Sequence, residues 1–205
     1  MAEVRRKDYQ YDHPEAIDAF LDASTHGMLG FTRPDGSPGM VALNFVRLER
    51  TLYFHGAPEG EKMRSLVRDP RAVFMVTADF ALVPSYFRAP KLACPATQYY
   101  KAVVVRGSVR QVAFRNEKAA ALQALMEKLQ PEGGHEPILD NRLYRKSLDT
   151  TAVLALPMEE VTAKFKFGQN LPRRVRRSVA GRLSERDRPG DAETVAAITD
   201  VCPFD

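Results

Sequence analysis

The stretch LYFHGAPEGEK, residues 52–62, runs from a short apolar segment through a turn into a polar segment that can open a helix. Leu52 and Phe54 at its beginning are typical of a β-strand. The turn contains residues that change the direction of the backbone: Gly56, Pro58 and Gly60. The stretch therefore predicts a strand, a tight turn that carries His55, and the start of a helix.

The helix after this turn is predicted to be short and amphipathic. Met63, Leu66 and Val67 fall at positions i, i+3 and i+4, so they share one face. Pro70 ends the helix, because the residue before a proline is disfavoured in the α-helical region. The open amides and the positive dipole end of the first turn favour an anion, and Lys62 adds a positive charge there.

We call residues 55–62 the cradle turn, and the residues alone leave two interpretations open. In the first, the turn binds a phosphate group. An ammonium about 4 Å from an anion contributes about 4 kcal/mol at an effective dielectric constant of about 20, so Lys62 would decide whether the phosphate stays. In the second, the turn is an ordinary strand-to-helix connection, and His55 and Lys62 are simply solvated.

Composition limits the classes of protein that remain. The chain has 205 residues, of which 44% are hydrophobic, as is ordinary for one globular domain. We expect a single domain over residues 1–205, with a loosely held lead-in at residues 1–13 and packed helices at residues 171–205. No apolar run approaches the roughly 20 residues of a membrane span, and the N-terminus lacks a signal-peptide core. A cytoplasmic protein without membrane contacts is expected.

Several kinds of catalytic or metal site find no support in the sequence. Cys94 and Cys202 are too few for a disulfide framework and are expected to be free thiols. The four histidines are scattered, so no metal site is predicted. The Gly-x-Ser-x-Gly, His-Glu-x-x-His, Walker and Gly-x-Gly-x-x-Gly motifs are absent. A nucleophilic Cys94 would need a nearby histidine, which the sequence does not place.

Positive charge is concentrated near the C-terminus. The chain has 30 basic and 26 acidic residues, for a formal net charge of +4. Between Leu171 and Arg188 there are seven arginines against two acidic residues. This distribution favours a solvated helix face over a nucleic-acid partner. Alternatively, Arg173 and Arg174 neutralise the phosphate of a cofactor or of a nicotinamide substrate.

The spacing of apolar residues predicts six or seven short strands and a few helices without a βαβ rhythm. Strands are expected at residues 28–32, 40–48, 51–55, 72–77, 99–112, 150–156 and 161–167. The first three would form an antiparallel meander, the fourth would be buried on both faces, and Gly107 would bend the fifth. Helices are expected from Pro14 to near residues 25–27, from the cradle turn to Asp69, at residues 117–129, from Pro172 onward and at residues 192–199. An antiparallel barrel with peripheral helices accommodates this order.

Three runs in this order resemble a known family: LYFHGAPEGEKMRSLVRDPRAVFMV, YYKAVVVRGSVRQV and KFKFGQNLPRRVRRSVAGRL. The chain is similar, from about residue 18 to 198, to the flavin-binding split-barrel superfamily of pyridoxamine 5′-phosphate oxidase. Within it, the branch of nitroimidazole-resistance proteins matches best. The resemblance implies a mainly β (α+β) fold, an antiparallel six-stranded split β-barrel with peripheral helices. It also implies a homodimer that holds two FMN molecules in clefts shared between subunits.

The resemblance further implies which residues bind the cofactor. The turn of His55, Gly56 and Ala57, with Lys62, would hold the FMN phosphate, and Asn44 and Phe45 would lie along the isoalloxazine ring. The remaining candidates match a family Tyr-Arg-Ser segment and a Gly-Gln-Asn end near the flavin or the partner subunit: Tyr100, Lys101, Ala102, Gln169 and Asn170. Lys101 would supply a point charge in place of the arginine fork.

Two departures from the family pattern bear on function. Ala102 replaces the usual serine, which removes one hydroxyl donor at a cost of about 1 to 3 kcal/mol if the phosphate oxygen stays unpaired. The chain has no tryptophan and no substrate-phosphate motif, which argues against oxidation of pyridoxamine phosphate. Deazaflavin and haem remain as alternative cofactors, with His55 as an axial haem ligand.

The sequence thus predicts an FMN-dependent oxidoreductase that takes a hydride from NAD(P)H and passes electrons to a small planar acceptor, such as a nitroaromatic, a quinone or a flavin. His55 is the candidate catalytic residue, as an electrostatic or proton-supplying group, because small environmental shifts move its pKa across neutral pH. It would otherwise only hydrogen-bond the turn. The alternative function is a non-catalytic sensor or storage protein that binds flavin, deazaflavin or haem.

Overall fold

The structure, a computed structural model, describes residues 4–201, and these residues form two compact units. Unit I consists of residues 14–76 and 104–161. Unit II consists of residues 4–13, 77–103 and 162–201. Cys94 is an exposed free thiol, as predicted, whereas Cys202 lies outside the described residues.

The helices and strands follow one another in an irregular order. In chain order they are α1 (Pro14–Ala23), β1 (His26–Thr32), β2 (Pro38–Asn44), β3 (Val46–Leu48), β4 (Thr51–Gly56), α2 (Glu61–Arg68), β5 (Arg71–Val83), β6 (Thr97–Ser108), β7 (Arg110–Gln111), α3 (Arg115–Leu129), α4 (Arg145–Thr150), β8 (Ala152–Pro157), β9 (Glu160–Lys166), α5 (Arg173–Arg186) and α6 (Asp191–Val201). Short 3₁₀ turns lie at Lys7–Tyr9 and Ser85–Phe87.

The strands between residues 4 and 201 form two antiparallel sheets. The strand order is β2-β1-β5-β6-β9 in the five-stranded sheet and β3-β4-β8-β7 in the four-stranded sheet. The boundaries of the two units fall within β5, β6 and β9. The predicted α+β class with antiparallel pairing is confirmed, but the six-stranded barrel is not: the described strands number nine and are divided between two sheets.

The chain changes sheet at Phe45. We predicted one strand over residues 40–48, but β2 ends at Asn44 and β3 begins at Val46. Phe45 and Val46 are both buried, which a continuous strand with alternating faces does not allow. The predicted antiparallel pairing of neighbouring strands is confirmed, but the strands do not form one meander, because β1 pairs with β2 in one sheet whereas β3 pairs with β4 in the other.

Strand β5 is buried on one face only, contrary to the prediction. Ala72, Phe74 and Val76 are buried, whereas Val73 and Met75 between them are exposed. The strand is also longer than its apolar run, since it continues to Val83. The unbroken run of apolar residues is therefore not a strand buried on both faces. It gives the sheet one buried face and one exposed apolar face.

Most of the predicted helices are confirmed within a few residues, because their signals are local. Pro14 opens α1, Pro172 caps α5, and α2 ends before Pro70. Two details were wrong: Val67, predicted on the buried face of α2, is 79% exposed, and α4 was missed. No helix within residues 4–201 is long and apolar enough to cross a bilayer.

A group of three aromatic rings forms the centre of unit I. The Phe74 ring lies 5.0 Å from the Phe45 ring and 5.7 Å from the Phe54 ring, measured between centroids. All three side chains are almost fully buried. Because Phe54 belongs to β4 and Phe74 to β5, their contact packs the two sheets together within this unit.

Unit II has its own core under α5 and α6. Val179, Leu183 and Ile198 are fully buried. An ion pair between the partly exposed Arg186 and the buried Asp191 links the two helices. The amide of Ala81 donates to Thr194 Oγ1 at 2.8 Å, which attaches β5 to α6.

Two glycine-to-alanine substitutions test the close approach at Gly107. A Cβ there would lie 2.3 Å from the carbonyl oxygen of Pro157, which is backbone and cannot move aside cheaply. We expect Gly107→Ala to lower the free energy of unfolding by about 1 to 3 kcal/mol, measured by urea titration. Gly181→Ala, in α5, meets no atom within 4 Å and should instead raise it by about 1 kcal/mol. Equal effects of the two substitutions would contradict the close packing.

Candidate functional site

The cradle turn connects the end of β4 to the N-terminus of α2. Gly60 precedes the helix with φ of +111°, a conformation that favours glycine, and it provides no side-chain cap. The Arg64 amide donates to the Gly60 carbonyl at 3.1 Å as the first bond of the helix. The amides of residues 61–63 therefore have no helical acceptor and point toward the turn.

Lys62 extends back from α2 to the end of β4. Its Nζ lies 2.7 Å from the position that a Cβ on Gly56 would occupy, so any other residue at this position would push the ammonium away. Burial lowers the pKa of Lys62. An ammonium beside Gly56, just before the open amides of a helix N-terminus, has the chemistry of a phosphate contact.

His55 is exposed and lies beside this ammonium. Partial loss of hydration and then the charge of Lys62 lower the pKa of His55 from its ordinary value of 6.5. The imidazole is therefore neutral at pH 7, so it offers one donor and one acceptor. Within residues 4–201, neither His55 nor Lys62 forms an ion pair with a carboxylate. Neither side chain is therefore neutralised by direct contact with a described carboxylate, which leaves both of them available to an anion.

Asn44 and Phe45 are placed differently from each other. Asn44 is exposed, and its Nδ2 donates to the Thr25 carbonyl at 2.9 Å, which leaves its Oδ1 available. Phe45 is fully buried in the core of unit I. Phe45 can therefore contribute to a ligand site only through its main chain.

Sequence reasoning missed Lys128, which lies directly over the Phe45 ring. Its Nζ is 4.1 Å from the ring centroid and donates to the Leu21 carbonyl at 3.1 Å. Burial lowers the pKa of Lys128 to about 8, although the charge of Asp22 opposes the shift. A lysine in an amphipathic helix carries no signal of this contact, because the contact depends on how α3 packs.

Tyr100, Lys101 and Ala102 lie in the part of β6 that belongs to unit II. The Tyr100 ring is approached by the Nζ atoms of Lys164 and Lys166, at 5.2 and 5.7 Å from its centroid. Lys101 lies over the Phe165 ring at 4.9 Å, and burial lowers the pKa of its ammonium while the charge of Asp200 opposes the shift. Ala102 is buried.

Gln169 and Asn170 follow β9 in unit II and differ in their availability. Gln169 bonds its own segment: its Oε1 accepts from the Phe167 amide at 2.8 Å and its Nε2 donates to the Phe165 carbonyl at 2.5 Å. Asn170 Oδ1 accepts from the Tyr9 hydroxyl at 2.7 Å, which leaves its Nδ2 available. Gln169 therefore shapes the end of the strand, whereas Asn170 can still donate to a ligand.

Unit I brings together the candidates of the cradle turn. His55, Gly56 and Lys62 lie in contact range, with the exposed Ala57 next to them. The other predicted residues of this unit are Asn44 and Phe45. The five remaining candidates lie in unit II. Among the described residues, no cluster of side chains is suited to hold a metal ion.

The fold and this turn belong to a known class of proteins. Residues 13–165 match the sequence model of a family described as pyridoxamine 5′-phosphate oxidase. Because the match covers most of the 205 residues, the chain belongs to this family. No curated protein sequence matches the chain.

Solved structures with the same fold include flavin- and haem-associated proteins. The flavocytochrome Anf3 from Azotobacter vinelandii has a TM-score of 0.67 and 22% identity over 80% of this chain and 72% of that chain. An FAD and heme binding protein from Mycobacterium smegmatis has a TM-score of 0.66 and 24% identity over 78% and 74%. A candidate 5-nitroimidazole antibiotic resistance protein from Bacteroides thetaiotaomicron has a TM-score of 0.63 and 22% identity over 76% and 85%. At these identities the likeness shows the fold alone.

The pKa of His55 tests the arrangement of the cradle turn. Because the Lys62 ammonium is one of two causes that lower this pKa, Lys62→Gln should raise it, while the remaining desolvation keeps it below 6.5. An NMR titration of the imidazole measures the change. Arg64→Gln, which removes an exposed charge from the same helix, is the matched control and should leave the pKa nearly unchanged. An equal rise in both variants would show that Lys62 is not the specific neighbour.

Proposed function

We propose that the chain binds FMN and transfers electrons from NAD(P)H to a small planar acceptor, such as a nitroaromatic, a quinone or a flavin. The observation that carries the proposal is the cradle turn, where Lys62 lies beside Gly56 at a helix N-terminus and has no carboxylate partner within residues 4–201. Membership of the pyridoxamine 5′-phosphate oxidase family and the flavin-binding neighbours support it. When bound, FMN would supply the two-electron chemistry.

The residues of the turn suit the terminal phosphate of FMN. The open amides of α2 and the Lys62 ammonium offer donors and positive charge to an anion. Asn44 Oδ1 can accept a hydrogen bond from a polar ring edge. Deazaflavin would fit the same turn, because its phosphate presents the same chemistry.

His55 is the residue that we propose for proton supply. Its neutral imidazole can hold a proton at one ring nitrogen and accept one at the other. A phosphate bound beside it would raise the pKa of His55, because an opposite charge favours the protonated ring. The bound anion would thus move the imidazole toward the range in which it exchanges protons at neutral pH.

A second candidate function is haem binding without catalysis. His55 is exposed and its pKa is lowered, so its ring nitrogen is unprotonated and available to a metal at neutral pH. One structural neighbour is described as an FAD and heme binding protein. The absorption spectrum of the purified protein separates flavin, deazaflavin and haem.

FMN titration of the apoprotein tests the cofactor and the turn together. Loss of a charge-assisted hydrogen bond costs about 1.5 to 3 kcal/mol, so Lys62→Gln should weaken FMN binding about 10- to 100-fold. Arg64→Gln should bind as the wild type does. With the holoprotein, anaerobic NADPH or NADH should bleach the flavin absorbance within seconds to minutes. A flavin that stays oxidised with both NADPH and NADH would refute the proposed enzymatic activity. The absence of FMN binding would refute FMN as the cofactor.

We also propose that the chain forms a homodimer through an apolar face of unit I. The register places Met28 beside Met75, and it places Met40 and Val73 on either side of Gly30. All four side chains point to the same face and are between 37% and 68% exposed. Contiguous apolar patches of this kind mark interaction surfaces.

Sedimentation velocity tests this face. The wild-type chain should sediment as a dimer at micromolar concentration, and Met40→Glu should weaken the dimer at least about tenfold because it buries an unpaired charge. Leu143→Glu, a change at an exposed leucine elsewhere in unit I, should not affect it. A monomeric wild type, or equal dissociation in both variants, would contradict the proposed interface.

A further inference from the structure

A cavity of about 360 Å³ lies within unit II, apart from the residues of the cradle turn. Its wall comes from three segments that are distant in sequence: the first described residues, the loop before β6 with the start of that strand, and the end of β9 with the residues after it. Its volume falls at the lower end of the range of small-molecule sites. The cavity therefore has the size of a site for a small ligand or for one group of a larger ligand.

Among the described residues, the cavity is lined by five cationic side chains and by no aspartate or glutamate: Arg5, Arg6, Arg88, Lys164 and Lys166. Within the described part of the chain, none of these five forms an ion pair with a carboxylate. The arginines of α5 that the sequence singled out are not part of this wall. Like charges that converge without a carboxylate partner among the described residues leave room for a multiply charged anion.

The electrostatics of Lys166 show the effect of this crowding. Burial lowers the pKa of Lys166, and the positive charges of Lys164 and Arg6 lower it further, while Tyr100 opposes the shift. Its Nζ donates to Thr97 Oγ1 at 2.5 Å, which holds the ammonium at the cavity wall. A bound anion would relieve the repulsion between these cations.

Uncharged donors complete the wall in a fixed orientation. Because Asn170 Oδ1 accepts a hydrogen bond from the Tyr9 hydroxyl, the Nδ2 of Asn170 is the group available to donate to a ligand in the cavity. Burial raises the pKa of Tyr99 to about 12, so its hydroxyl stays protonated. Gly168 has φ of +83°, and a Cβ there would lie 2.5 Å from the Tyr99 hydroxyl oxygen, so glycine is required for the chain to bend around that hydroxyl.

We infer that this cavity binds the pyrophosphate group of a small molecule. A single phosphate carries about two negative charges near neutral pH, whereas five cations line the wall, so a group with adjacent phosphates matches the charge better. The site is additional to the FMN phosphate site proposed at the cradle turn, and none of residues 55–62 lines it. The pyrophosphate can be free or part of a nucleotide, including a nicotinamide nucleotide.

Calorimetric titration with inorganic pyrophosphate, at about 0.15 M ionic strength, tests the site. We expect one saturable site per chain, and separate Arg88→Gln and Lys166→Gln variants should each bind about 10- to 100-fold more weakly. The matched controls are Arg142→Gln and Lys91→Gln, exposed residues outside the cavity wall, and they should bind within about twofold of the wild type. Circular dichroism checks that all four variants are folded.

Several outcomes would overturn the inference. The first is the absence of saturable binding up to about 10 mM pyrophosphate, because a dissociation constant above this value is too weak for a specific site of this charge. The second is equal weakening of pyrophosphate binding in the control variants. The third is loss of pyrophosphate binding in Lys62→Gln but not in Lys166→Gln. Competition by a duplex DNA with steep salt dependence would assign the basic wall to nucleic acid instead.

Further titrations identify the source of the pyrophosphate group and separate this inference from the proposed function. Displacement of pyrophosphate by ADP or NADPH would show that the group belongs to a nucleotide, and failure of both would identify free pyrophosphate. FMN affinity should be unchanged in Arg88→Gln. If the protein does not bind FMN at all, the proposed function is refuted, whereas the pyrophosphate site is still tested by the pyrophosphate titration alone.

Discussion

The contact of Phe74 with Phe45 and Phe54 is the interaction on which unit I depends. These rings lie 5.0 and 5.7 Å from Phe74 and bring strands of the two sheets together. A Cβ at Gly27 would lie 2.3 Å from the Phe74 ring, so β1 has to carry a glycine beside it. Because the cradle turn follows Phe54 directly, the packing of this ring also determines where His55 lies.

The environment of a lysine differs between positions that only stabilise the fold and positions at the candidate sites. Lys118 is buried, and its Nζ donates to the carbonyls of Leu148 and Thr151 at 2.8 and 2.9 Å, so its charge is satisfied by the fold. Lys62 and Lys166 are half-buried and have lowered pKa values, and neither has a carboxylate partner among the described residues. Keeping a charge partly desolvated and unpaired costs stability, which is characteristic of positions that meet a ligand.

Local signals made much of the fold and part of the site predictable. Prolines and apolar spacing located α1, α2, α3 and α5, and glycines located the cradle turn. The switch at Phe45 was not predictable, because both Asn44 and Val46 suit a strand and only packing decides which sheet each joins. Lys128 and the basic cavity were missed for a related reason: each depends on contacts between segments far apart in the chain.

The sequence by itself determined most of the helices, the turn at His55 to Lys62 and the resemblance to the family, because each depends on residues that are neighbours along the chain. Tertiary structure alone decided that β5 exposes an apolar face, that Phe45 faces the core, and that five cations line one cavity. These features depend on burial and on electrostatic contacts at a distance, which are properties of the packed chain and not of any segment within it.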